Sequence, residues 1–387
     1  MYKLPDSAPT RKTFLQAAGA AAGSCAVLAS GVRFASAQEG RLPLFSWNTV
    51  PCAVDLAKAT GDFSPSEANF LANRFSYVAI EKFQATGPQP KGNKQTEPGI
   101  VAAAKALKAA NPNVKVLSYW SLFAFHPEYA ASANFDQSWI KTHNASNQII
   151  FDLDNPAFQS WWINAANEVA SLPGVDGVFV DSLGNFGKYN PIKHIMLEGV
   201  RNHTLPGGKS PIIVANGFPS SPSNPQSFLD VLDGLFYEHF DAYESTAPDK
   251  IRLDMLNLQQ VARAGRILHF RGWPGFTGSD PVVRTSSYAE LVAIARKNID
   301  FPLACFLSIA EPGSFFHYAW GYNNIGGAYV LQADMQTVDP VWYPELLRPL
   351  GNPKGECSVN GYLFTRQFEH ADVRVDVAAH TASINWS

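Results

Sequence analysis

One local pattern recurs along this chain and constrains its fold more than any other feature. A short apolar run, rich in β-branched and aromatic residues, ends in a polar or aromatic tip. The clearest case is Gly174 to Leu183, where Val178-Phe179-Val180 follows Pro173 and Gly174 and leads into Asp181. The run shows no polar alternation, so the strand it predicts is buried on both faces, as in parallel sheets covered by helices. Similar runs stand at 42–48, 75–81, 114–120, 211–217, 234–240, 266–270 and 303–308. Between them lie helical or loop segments. Ile100 to Ala110 reads as an amphipathic helix stopped by Asn111-Pro112, and Asn155-Pro156 opens another that runs to Ala170. Eight such strands predict an α/β chain folded as a (β/α)8 TIM barrel. A doubly wound nucleotide-binding sheet needs a glycine-rich turn after its first strand. Asn48-Thr49-Val50-Pro51 is no such turn, and no G-x-x-x-x-G-K-[ST] occurs.

The 387 residues, 46% hydrophobic and 16% charged, suit one large barrel better than several small domains. We place the barrel at 38–348. Beyond it the pattern changes. Residues 361–368 and 373–377 alternate apolar and polar, and 382–386 forms a last short strand. Residues 349–387 therefore read as a small antiparallel β appendage.

Residues 1–37 read as an export signal. Thr10-Arg11-Lys12-Thr13-Phe14-Leu15-Gln16 resembles the twin-arginine motif, with Lys12 at the second arginine position. An Ala/Gly-rich stretch and the small-residue site Ala35-Ser36-Ala37 follow. The expected destination is the bacterial periplasm or the extracellular space, without stable membrane insertion after cleavage. The formal charge of −3 includes +3 on these 37 residues, leaving −6 on the remainder. No Lys/Arg run is present, so a nucleic-acid partner is not expected. Oligomeric state is not readable. Cys52, Cys305 and Cys357 permit at most one disulfide, and Cys52 with Cys357 or three free thiols are both open.

In α/β barrels the C-terminal strand ends carry the active site. The carboxylates predicted at such ends are Glu81, Asp181, Glu238 and Glu311, with Asp152 and Asp154 in a loop. Glycosidic cleavage needs two carboxyl groups, one to protonate the leaving oxygen and one to attack the anomeric carbon or activate water. Asp181 and Glu238, on the fourth and sixth strands, meet this need. Tyr237 and Asn216 are candidates to orient them. Trp47, Tyr119, Trp120, Trp273 and Trp320 are candidate stacking faces for a sugar, although aromatics also fill cores. The plainer readings are Asp181 as a helix cap and Glu238 as the partner of Arg271. No H-x-H or H-E-x-x-H pattern occurs and the nine histidines are scattered, so no metal or other cofactor is expected. No G-x-S-x-G elbow is present, so serine chemistry ranks low.

Several stretches, taken in order, resemble glycosyl-hydrolase-like family 15, a barrel family of uncharacterised specificity. They are residues 115–120, Phe151-Asp152-Leu153-Asp154-Asn155-Pro156 with Trp161-Trp162, 174–181, Ala215-Asn216-Gly217, Tyr237-Glu238 and the terminal sheet. The family is distantly similar to the α-galactosidase and α-glucosidase superfamily. That resemblance implies a retaining glycosidase acting on an oligo- or polysaccharide. It implies a strand-four nucleophile at Asp181 and a strand-six acid/base at Glu238, where relatives usually carry aspartate. A non-catalytic carbohydrate-binding barrel is the alternative.

Overall fold

The computed structural model describes residues 40–58, 61–86, 95–143, 149–184, 189–217, 228–243, 245–320 and 343–387. The export signal read at 1–37 lies outside them. Among the described residues, no helix is long and apolar enough to cross a membrane.

The first half of the chain supplies β1 (Val54–Leu56), α1 (Pro65–Arg74), β2 (Tyr77–Ile80), α2 (Glu97–Ala110) and β3 (Lys115–Ser121). A small hairpin, β4 (Ile140–His143) and β5 (Ile149–Phe151), precedes α3 (Pro156–Ala170), β6 (Gly177–Asp181), α4 (Asn190–Arg201) and β7 (Ile212–Asn216). The second half adds β8 (Gly234–Tyr237), α5 (Pro248–Arg263), β9 (Ile267–Gly272), α6 (Pro281–Thr285), α7 (Tyr288–Asn298), α8 (Asp300–Ile309) and β10 (Ser314–Tyr318). The C-terminal strands are β11 (Ser358–Asn360), β12 (Leu363–Gln367), β13 (Ala371–Asp376) and β14 (Thr381–Trp386).

Eight parallel strands pair in the order β1-β2-β3-β6-β7-β8-β9-β10. The ring closes just before β1, where Ala53 N donates to Phe316 O at 3.1 Å and Phe316 N donates to Pro51 O at 2.8 Å. The chain is thus a (β/α)8 barrel. Aromatic rings fill its interior: Phe179 against Phe236 at 5.4 Å, Phe236 against His269 at 4.3 Å, and Tyr77 against Phe315 at 5.6 Å. Val178, Phe179 and Val180 are buried, each contributing about 1.5–3 kcal/mol of apolar burial. Gly177 is needed at the foot of β6, because a Cβ there would stand 2.0 Å from Ile212 O.

Local signals set the helices. Ser64 and Glu67 form a reciprocal capping box at the start of α1, and Ser287 and Glu290 repeat it for α7. Asn155 caps α3 by accepting from Ala157 N and Phe158 N, with Pro156 next. The helix expected from Asn155-Pro156 to Ala170 is α3, and the one expected at 100–110 lies within α2.

Two of the expected strands are corrected. Residues 42–48 form no strand; the first barrel strand is Val54–Leu56, a three-residue segment with Asp55 at its centre. Leu303–Ser308 is not the eighth strand but part of α8, and the eighth strand is Ser314–Tyr318. Helix α8 is buried on every side, packed against β9 within and β12, β13 and β14 without. A segment covered all round loses its polar stripe, so periodicity cannot distinguish it from a buried strand.

The four-stranded antiparallel sheet β11-β12-β13-β14 forms the appendage. Arg366 on β12 donates to Leu307 O at 3.3 Å and to Ala310 O, satisfying carbonyls at the end of α8. Cys52, Cys305 and Cys357 are free thiols, so the Cys52–Cys357 bridge is not formed.

Candidate active site

Asp181 is the last residue of β6 and Asn216 the last of β7; Glu238 directly follows β8. They therefore meet at the C-terminal end of the barrel. Asn216 Nδ2 donates to Asp181 Oδ1 at 3.0 Å and to Glu238 Oε2 at 2.8 Å. Both bonds share one nitrogen, so these two carboxylate oxygens are no farther apart than about 5.8 Å.

The loops leaving the strands hold this arrangement. Ser182 takes the left-handed conformation at φ 65°, turning its N–H back onto Asp181 Oδ1 at 2.7 Å. Such backbone in a residue with a side chain costs of order 1 kcal/mol and clusters at functional sites. Gly217, at φ 106°, lets the chain leave β7 against the β6 exit, where a Cβ would meet Gly184 N at 2.5 Å. Leu183 N donates to Asn216 O at 2.8 Å, and buried Lys193 donates to Leu183 O.

Asp181 also accepts from Tyr119 Oη on Oδ2 at 2.7 Å. Three donors thus converge on its carboxylate. Tyr119 Oη lies 3.3 Å from His126 Nε2, whose Nδ1 is 3.1 Å from Glu128 Oε1. Glu238 differs. Burial, reinforced by the charges of Asp181 and Asp55, pushes its carboxyl up to about 7 against the opposing pull of Arg271 and Asn216. Arg271 Nη1 is 3.5 Å from Glu238 Oε1, and His239 Nε2 is 3.8 Å from Oε2. The Arg271 pairing weighed from sequence is therefore present, as a single long contact that coexists with the Asn216 bridge.

Glu81, directly after β2, is buried with Lys82 Nζ at 3.0 Å. Burial is the main force raising its carboxyl to about 8; Lys82 opposes it, while Asp55 and Asp181 add to it. Lys82 Nζ also lies 4.2 Å from the Tyr119 ring centroid.

The other expected site residues separate. Trp273 donates Nε1–H to Glu238 O at 2.6 Å and carries the Arg271 guanidinium over its ring at 4.3 Å. It is buried, so it is a wall of the site and not an open stacking face. Tyr237 points its hydroxyl outward to Asp254 and to Lys250 of α5, away from Asp181. Trp120 packs in a core cluster with Tyr129 and Trp161. Trp320 is likewise buried, against Phe276 and Tyr288. Trp47 precedes β1 and packs against Phe45 and Phe368, at the barrel's N-terminal end. Glu311 lies before β10, also at that end, within 3.5 Å of Arg366 and 3.9 Å of Arg263. Asp152 sits beside the exposed β4–β5 hairpin, 3.4 Å from Lys141.

Sequence reasoning missed Asp55, Lys82, His126, His269 and His317. The misplaced first strand hid Asp55. The misplaced eighth hid His317, which follows the run Ser314-Phe315-Phe316 and was the available signal.

The sequence profile of the hypothetical glycosyl hydrolase family 15 matches residues 108–372. The chain belongs to this family. The family match spans Asp181, Asn216 and Glu238 and reaches into the C-terminal sheet. No curated protein sequence matches the chain. Among solved structures it is similar to an α-amylase from Anoxybacillus, at 10% identity over 85% of this chain and 86% of that one, with TM-score 0.50. It is also similar to cyclic α-maltosyl-(1→6)-maltose hydrolase from Arthrobacter globiformis, at 12% identity over 89% and 98%, with TM-score 0.50. These likenesses show a shared barrel fold. The hypothetical glycosyl hydrolase family 15 is thus the family in which the Asp181–Asn216–Glu238 constellation is to be read.

Proposed function

We propose that this protein is a retaining glycoside hydrolase acting on an oligo- or polysaccharide, with Asp181 as nucleophile and Glu238 as acid/base. One observation carries the reading: Asn216 bridges the two carboxyl groups. Retaining enzymes place their carboxyls about 5–5.5 Å apart, inverting enzymes about 6.5–9.5 Å. The bridged geometry favours the first. A carboxylate under three donors suits attack on the anomeric carbon. A carboxyl that titrates near neutrality suits donating a proton to the leaving oxygen and later taking one from water. In this reading Tyr119 steadies the nucleophile, and residues 1–37 export the protein.

The test is a panel of aryl glycosides followed by proton NMR of the first-formed anomer. Hydrolysis with retention, lost in Asp181→Gly and restored as a glycosyl azide of opposite configuration by added azide, is the expected result. Inversion by the parent enzyme would remove Asp181 from the nucleophile role.

The Arg271–Glu238 contact favours a second reading, a carbohydrate-binding barrel in which Glu238 is a structural ion pair. In that case the parent protein hydrolyses nothing, and Asp181→Asn binds glycans as the parent does.

A further inference from the structure

Asp55 on β1, His269 on β9 and His317 on β10 come together inside the barrel, and their ligating atoms all lie within 4.8 Å of one another. The three strands are neighbours at the closure of the ring. His317 Nδ1 is 2.9 Å from Asp55 Oδ1 and 3.2 Å from His269 Nε2. All three side chains are buried. We propose that Asp55, His269 and His317 bind a divalent cation of the zinc class, which fastens the closing strands of the barrel.

Four observations converge on this site. First, two imidazoles and one carboxylate form a donor set that zinc takes readily. Second, the spacing fits. With Zn–N and Zn–O bonds near 2.0–2.2 Å, the edges of a tetrahedron are about 3.3 Å, so these two separations need to open by only a few tenths of an ångström, and the third pair already lies within 4.8 Å. Third, Asp55 Oδ1 forms no hydrogen bond of ordinary geometry despite its closeness to His317. A buried carboxylate oxygen left in that state is costly, and an ion would satisfy it. Fourth, the other ring nitrogen of His269 is already engaged: Nδ1 meets Tyr77 Oη at 2.7 Å. Metal-ligating histidines are commonly oriented by such a partner on their second nitrogen.

Phe236 lies against both histidine rings. The three ligands are enclosed within the barrel, and in this proposal water supplies the fourth ligand of the tetrahedron. No sequence spacing announces the cluster, because each ligand comes from a different strand.

The experiment uses the full chain, purified without chelator, and reads metal content by inductively coupled plasma mass spectrometry. Stoichiometric zinc is expected. After removal with dipicolinate, cobalt(II) alone should give the visible absorption of a tetrahedral N/O site, and zinc alone should raise the melting temperature. Asp55→Asn and His317→Gln should abolish the cobalt spectrum. Tyr77→Phe should keep it but weaken metal affinity about 10–100-fold. Parent protein with a native near-ultraviolet dichroism spectrum, no bound metal, no cobalt absorption and no thermal shift would overturn the proposal. The cobalt and thermal readings on the parent chain stand even where a variant fails to fold. None of these readings depends on sugar hydrolysis.

Discussion

Asp181 and Glu238 are joined by the side-chain amide of Asn216, each carboxylate accepting one of its two N–H groups. An asparagine at the end of β7 thus sets the separation on which the proposed two-carboxylate chemistry depends. Asn216→Ala removes two hydrogen bonds to acidic groups, each worth about 1.5–3 kcal/mol. We expect kcat/KM on an aryl glycoside to fall by roughly 10²-fold, with the fold intact by circular dichroism. Asn216→Asp should do worse, since a third carboxylate would replace the donor. Unchanged kinetics in both variants would deny the bridge a functional role.

Glu238 titrates at about 7, chiefly because it is buried. A general acid must carry its proton, so kcat/KM should decline as pH rises through about 7. Arg271 pulls this carboxyl down. Arg271→Met should therefore move the alkaline limb to higher pH, read in a pH–rate profile at low substrate. A limb that stays in place in the variant would detach Glu238 from the acid role.

Glu81 titrates at about 8 in the folded chain, whereas an unfolded glutamate titrates near 4.3. Between these values the folded state keeps a proton that the unfolded state has lost. Stability contributed by Glu81 is thus fully present at low pH and is lost as pH rises toward about 8. Glu238 acts in the same direction up to about 7. Glu81→Gln carries no proton to lose. Its melting temperature should exceed that of the parent at pH 8, with the gap shrinking toward pH 5. A variant less stable at both pH values would refute this assignment.

The fold was legible because buried parallel strands announce themselves locally. The run Val178-Phe179-Val180 before Asp181 needs no tertiary knowledge to be read. The same was true of Asn216 and Glu238, each standing where an apolar run ends. The two failures share a cause. Val54-Asp55-Leu56 places a charge inside a three-residue strand, and its burial makes sense only once His317 and Arg271 surround it. Leu303–Ser308 is apolar on every face because a sheet distant in sequence covers its outer side. Aromatic residues misled in a similar way. Trp47, Trp120 and Trp320 are as apolar as any platform, and only packing shows them facing the interior. Tyr119 belongs to the site through its hydroxyl, a role that composition cannot distinguish from stacking.

At the other end of the barrel, Asp233 directly precedes β8 and is buried. It accepts from Arg41 at 2.9 Å on Oδ2, from Arg201 at 2.7 Å on Oδ1, and from Ile213 N at 3.0 Å. A second Arg41 contact falls on Oδ1. Burial raises this carboxyl, yet Arg41 and Arg201 outweigh it and hold the group below the ordinary carboxylate range. Its stabilising charge is therefore present above the unfolded aspartate value and lost as pH falls through the folded one. Asp233→Asn leaves two guanidinium groups without their anion. Breaking a buried pair in this way typically costs about 3–5 kcal/mol. We expect a loss of that order in urea unfolding at pH 7, a smaller loss at pH 3, and unchanged kcat in the folded fraction. A loss that is equal at both pH values would mean that packing, and not charge, holds Asp233 in place.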